Sequence, residues 1–302
     1  MDMVTGREVI PRLAERYSKL YLSPYMDNLK EEYESVALCG GEPEDRSLSH
    51  FHGSDEDELV YEETPAGEVL TVKLADRRDF EMLLNIMLNK CVIKEIPKTQ
   101  GASILDGVIN WNKINARKEE FIREEKAKGI EEPDWDSEFT RFTSERSNFR
   151  EALIVLSAGP YSAIPAAELH MDEAEWNRLS HIIRKYHECT HFICRRLYRE
   201  KINAVWDELV ADAVGIYAAF GRFDIMMEER FLGITDGKYT GGRLENYVKE
   251  KNGIDELAAK AHETLIDFDK LIKGAGNAGP YDIAILLEES YQSGGRFFVI
   301  DG

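Results

Sequence analysis

The residues in this chain best suited to chemistry are His187-Glu188-Cys189-Thr190-His191. Two histidines four apart on a helix lie on one face, roughly 40° apart around the axis, so their imidazoles can hold one metal ion together. A glutamate directly after the first histidine sits beside that ion, where it can take a proton from a metal-bound water. This is the HExxH pattern of zinc hydrolases, with Glu188 as the general base. A catalytic zinc also needs a third protein ligand and an open fourth position.

A second helix supplies that ligand. Across residues 209–220 only Asp212 is charged. A helix apolar nearly all round is buried, and a carboxylate inside it is expensive without a partner. Glu208 lies one turn earlier on the same face. The few residues near 198–201 must turn the chain, and a short connection makes antiparallel neighbours. In such a hairpin, residues equidistant from the turn face each other. The His191/Glu208 and His187/Asp212 pairs share one midpoint, between residues 199 and 200. Helices pack roughly 8–10 Å apart, so these side chains can meet. His187, His191 and Glu208 therefore read as ligands of a Zn2+ ion. Asp212 reads as the acceptor for the other ring N–H of His187, fixing its tautomer.

HExxH followed by a helix bearing ExxxD resembles the gluzincin-type zinc metallopeptidases. The tract ELVADAVGIYAAFGRFD is also similar to the ExxAD-x-x-G pattern of some small gluzincins. The resemblance covers residues 152–224, about a quarter of the chain. It implies Glu208 as third ligand, Asp212 as support for a ligand histidine, and a peptide or protein substrate. It implies further that residues 152–157 form a sheet edge holding extended substrate by strand addition. A transition-state donor is expected beyond the ligand helix, where Tyr239, Arg243 and His262 stand.

The elements that must position these groups read as an α+β, zincin-like fold: a helical hairpin carrying the metal site, with a small sheet. Residues 68–74 alternate like a strand, Asp76 caps a helix reaching about residue 90, and residues 91–96 read as another strand. A strand–turn at 98–112, a helix at 115–128 and a loop at 131–135 follow. Residues 152–157 form an apolar strand. Asp172, with Glu175 three residues on, starts the first helix of the hairpin. Gly221 ends the second. Further helices are predicted near 254–272 and 281–291, then a short FFVI strand. The acidic stretch 42–63 reads as a solvated loop or lid. Residues 1–150 form an N-terminal region and 151–302 the catalytic one.

The chain has 302 residues, 43% hydrophobic and 31% charged, which describes a globular protein. Lys and Arg number 38 against 57 acids, a formal charge of −19, which disfavours a nucleic-acid partner. No apolar run is long enough for a membrane span. Four cysteines do not make a disulfide scaffold and fit a cytoplasmic setting, with Cys39 and Cys91 expected as buried thiols. Oligomeric state has no signature. Four blander readings stand beside the enzyme. The fold can be a catalytically inactive binding or sensing domain with a structural metal. Cys194 can complete a structural site, or Glu208 can pair with Arg195. His50 and His52, beside acids, can bind metal adventitiously.

Overall fold

The computed structural model describes residues 3–198, 203–248 and 253–293. Its elements are β1 (Val4–Thr5), α1 (Val9–Arg16), α2 (Leu29–Glu32), β2 (Glu58–Thr64), β3 (Gly67–Leu74), α3 (Arg77–Leu88), β4 (Ala102–Ile109), α4 (Trp111–Ala127), α5 (Trp135–Ser144), β5 (Arg150–Ser157), α6 (Glu173–Leu197), α7 (Ala204–Phe220), α8 (Ile225–Leu232), β6 (Ile234–Thr235), β7 (Lys238–Tyr239), α9 (Ile254–Gly274) and α10 (Pro280–Gln292). The mixture of helix and sheet is α+β. The chain forms two compact units. One comprises Met1–Tyr61, Leu70–Ile96 and Ile104–Ser157; the other comprises Glu62–Val69, Pro97–Ser103 and Ala158–Gly302. The division thus falls after β5 rather than before it, and two short stretches of the N-terminal half belong with the second unit.

The five-stranded sheet has the order β1-β2-β3-β5-β4. β3 and β5 run parallel, in register from Leu70 opposite Leu153 to Leu74 opposite Ser157. Parallel strands are covered on both faces and read as unbroken apolar runs. The ALIVLS segment of β5 is such a run, buried from Ala152 to Ser157. It is flanked by β3 and β4, so its backbone is already paired. The expectation that residues 152–157 form a substrate-holding edge is therefore wrong; the edges are β1 and β4. The core of this unit joins Val9, Ile10 and Leu13 of α1 to Phe80, Leu83 and Leu84 of α3. Val72 of β3 and Val155 of β5 complete it.

Four other expectations change, the last being the burial of Cys39. Residues 58–63 are not loop but most of β2, so only the earlier part of the acidic stretch is irregular. Residues 91–96 are not a strand. The Asn85 side chain accepts the Lys94 N–H at 2.9 Å and donates to the Lys94 carbonyl at 3.1 Å. One amide thus takes the place of a neighbouring strand, and Lys90 and Cys91 turn the chain at φ of 54° and 62°. Helix α5 has no counterpart in the expected elements; Asp134 starts it by accepting the Ser137 N–H at 3.1 Å. Cys39 is exposed, whereas Cys91, Cys189 and Cys194 are buried. The FFVI segment lies outside the described residues. No described helix is long and apolar enough to cross a membrane.

In the second unit α6 and α7 form the centre. Asp172 caps α6, its carboxylate accepting the Glu175 N–H at 3.1 Å. Gly221 ends α7 at φ 67°, a left-handed conformation that costs glycine nothing. Gly215 sets how closely the two helices approach, since a Cβ there would meet the Ile183 carbonyl oxygen at 2.8 Å. The other side of α7 packs on α9 and α10. Trp206 meets Phe268 edge-on at 5.0 Å between ring centroids and stacks on Tyr291 at 4.7 Å.

Candidate metal centre

The α6–α7 pairing brings His187, His191 and Glu208 together, with one potential ligand atom from each within 4.8 Å of the others. The two Nε2 atoms are 3.1 Å apart. Glu208 lies 3.6 Å from His187 Nε2 and 3.5 Å from His191 Nε2. Donors bound at about 2.0–2.1 Å to a tetrahedral ion stand about 3.3 Å from one another. The Nε2–Nε2 separation is close to that value, and Glu208 turns Oε2 to His187 and Oε1 to His191, so the carboxylate faces both nitrogens and the three groups can close on one cation.

Each histidine has its other nitrogen against a carboxylate. His187 Nδ1 is 2.8 Å from Asp212 Oδ1. His191 Nδ1 is 2.8 Å from Asp207 Oδ2. At His187 the carboxylate holds the proton on Nδ1 and leaves Nε2 as the lone-pair donor; at His191 the Asp207 contact is an ion-pair approach without hydrogen-bond alignment. The electrostatics show that the centre attracts positive charge, a proton included. Burial acts to raise the Glu208 carboxyl, but the two histidines and Arg243 outweigh it and hold the group well below the usual carboxylate range. Burial acts to lower His191, but Asp207 and Glu208 prevail and raise it well above an ordinary histidine. Two buried histidines and a half-buried carboxylate of this kind are a place for positive charge.

Glu188, on α6 between the histidines, is buried, and burial raises its carboxyl despite the opposing pull of both histidines. A carboxylate tuned upward is suited to taking and returning a proton near neutral pH. Cys194 is not part of the donor set. Its thiol lies by Glu288, and burial pushes its ionisation far up. Glu208 faces the two histidines, not Arg195.

Of the three residues considered as donors beyond α7, only Arg243 reaches the centre. It pairs with Asp212 and donates to the Tyr161 hydroxyl at 3.3 Å. Tyr239 instead bonds the Gly242 carbonyl and Glu245, each at 3.1 Å. His262 Nδ1 is 2.7 Å from Glu229.

Three residues enter that spacing does not announce. Asp207 backs His191, as described. Tyr247 stands beside Glu208, where burial and that carboxylate push its phenol up and keep it a neutral donor. Tyr161 donates to Asp212 Oδ1 at 2.6 Å and lies 3.1 Å from His187 Nδ1. Its own backbone N–H donates to Ser180 Oγ at 2.9 Å. Arg184 holds the turn ahead of it through the Gly159 and Pro160 carbonyls, at 2.7 and 2.6 Å. Asp207 had a signal in the sequence, since it lies directly before Glu208 on the same helix. Tyr161, 26 residues before His187, had none.

A family model matches residues 16–284, which includes every residue of this centre. The chain belongs to DUF7005, a family of unknown function. Comparison with curated proteins returns no match, nor does comparison with solved structures. In this DUF7005 chain the reading of function therefore rests on the centre itself.

Proposed function

We propose that the chain is a zinc-dependent hydrolase of the gluzincin-like, metallopeptidase type. The observation that carries the reading is the convergence of His187, His191 and Glu208, with one potential ligand atom from each within 4.8 Å of the others and a carboxylate beside the far nitrogen of each histidine. Two nitrogens and one oxygen are a donor set used for catalytic zinc. Bound there, zinc would polarise a substrate carbonyl and make water a nucleophile near neutral pH.

The chain's own residues supply the rest. Asp212 and Asp207 orient the two imidazoles. Arg243 and Tyr161 hold Asp212 in place. Glu188 takes the proton of the attacking water and returns it to the leaving amine. Tyr247, kept protonated by burial and Glu208, is the residue assigned to donate to oxygen as negative charge develops there. An adjacent carboxylate base is what separates this reading from an inactive domain with a structural metal, which needs no base.

The test uses Glu188→Gln. Elemental mass spectrometry should find about one zinc per chain in wild type and variant alike. Turnover of a peptide library should fall by roughly 10²-fold or more in the variant only. Zinc without turnover in the wild type would favour the structural role.

A further inference from the structure

Beside the centre, the second unit contains a cavity of about 630 Å³ between α8, the β6–β7 hairpin and residues 243–246. That is within the range of sites that take small ligands or substrate side chains. Its wall is set by glycine: Gly233 turns at φ 78°, and a Cβ on Gly242 would fall 2.7 Å from the Gly233 backbone. Arg243 forms part of the lining and is also the partner of Asp212, so the cavity begins one side chain from the residues that orient His187.

The charge of the lining is lopsided. Glu168, Glu229, Asp236 and Glu245 contribute four carboxylates, and Arg230 and Arg243 two guanidiniums. The Arg243 charge is balanced by Asp212, which lies outside the cavity. Arg230 donates to the neutral Glu168 backbone carbonyl at 2.7 Å, so its charge offsets one carboxylate, and Glu229 is faced by His262; an excess of carboxylate remains. The lining therefore favours a cation. A metal ion is the wrong cation: among the described residues, only the two groups containing His187 and His52 bring three potential ligand atoms within 4.8 Å, and neither lines the cavity. Carboxylates spread around the cavity, with Phe231 and Ile164 among its lining, suit a cationic group carried on an apolar stem.

We propose that this cavity receives a basic side chain, arginine or lysine, of a peptide substrate. The inference rests on the hydrolase reading for the word substrate, and its test does not depend on turnover. Fluorescein-labelled hexapeptide pools carrying one fixed arginine, or citrulline in its place, are titrated against purified full-length Glu188→Gln protein by anisotropy. Citrulline keeps the shape and removes the charge. The arginine pool should bind at least about tenfold more tightly, and the margin should shrink to less than about threefold in an added Asp236→Asn/Glu245→Gln pair. Asparagine suits residue 236, where φ is 48°. The same preparations are assayed for zinc. Absence of zinc with the arginine preference intact would sink the hydrolase reading and leave the cavity assignment standing. Equal binding of the two pools, no binding of either, or a preference indifferent to the Asp236/Glu245 change would overturn the cavity assignment whatever the zinc content.

Discussion

Two groups of side chains, His187–His191–Glu208 and His52–Asp76–Asp79, each bring three potential ligand atoms within 4.8 Å of one another. They differ in what else those atoms do. In the second group Asp79 accepts the backbone N–H groups of His52 and Gly53 at 2.9 and 2.8 Å. Asp76 caps α3 through the Arg78 N–H at 2.8 Å and takes the Arg78 guanidinium at 2.9 Å. His52 is half exposed and turns its Nδ1 toward both carboxylates. The oxygens are thus filled by donors, one of them already cationic, and the group clamps a loop. In the first group Asp212 occupies His187 Nδ1, Asp207 approaches His191 Nδ1 at 2.8 Å, and both Nε2 atoms lie beside Glu208. Proximity is common to the two; spare, inward-facing lone pairs belong to one.

The largest effect that follows concerns Glu208. Glu208→Ala should remove the zinc retained by wild type after loosely held ions are stripped, as read by elemental mass spectrometry. Retention of about one zinc per chain by the variant would move the site elsewhere and dissolve the contrast.

A second effect follows from burial in the same helical pack. Glu288 on α10 accepts the Trp206 indole N–H at 2.9 Å, and burial pushes its carboxyl up to about 7. The folded value lies above the unfolded one of 4.5, so the stability from this group is full below pH 4.5 and is lost as pH rises through 7. Glu288→Gln keeps an acceptor for Trp206 and removes the titration. Relative to the variant, wild type should lose on the order of 2–3 kcal/mol between pH 4.5 and 8 in urea denaturation. Parallel pH profiles would show that the carboxyl is ionised throughout.

These contrasts also show how far the sequence reaches. The ligand pair, the base, Glu208 and Asp212 follow from helical spacing and a short turn, because both are local rules. The facing of His187 with Asp212 and of His191 with Glu208 needed only symmetry about residues 199 and 200. Tyr161 and Arg243 come from outside the hairpin, and only tertiary packing brings them onto Asp212. Residues 152–157 read correctly as an apolar strand, yet their place inside the sheet is set by β4, whose pairing no local pattern encodes. Residues 91–96 carry strand-like composition that the Asn85 side chain overrides.

A smaller effect tests the carboxylates behind the imidazoles. Asp207→Ala should weaken zinc binding roughly 10–100-fold in a competition with a chelator, and Asp212→Ala likewise. Asp212→Ala also strands Arg243, so its folding must be followed by circular dichroism alongside. Tyr161→Phe retains the ring packed on Phe231 at 4.8 Å and removes one donor to Asp212, so its effect should be the smallest of the three. If none of these changes moves zinc affinity, the arrangement behind the histidines is not what distinguishes the two groups.

The smallest effect belongs to His52. His52→Ala deletes a half-exposed imidazole but leaves the backbone N–H that Asp79 holds, so the loop clamp persists. Stability should fall by about 0–1 kcal/mol, as for an exposed ion pair. Zinc content should stay at the wild-type figure, because the carboxylates it faces are satisfied by backbone and Arg78. A loss of zinc on His52→Ala, with retention on Glu208→Ala, would reverse the assignment of the two groups. It would mean that a cation can displace Arg78 from Asp76 more readily than it can enter between two imidazoles already aimed at each other.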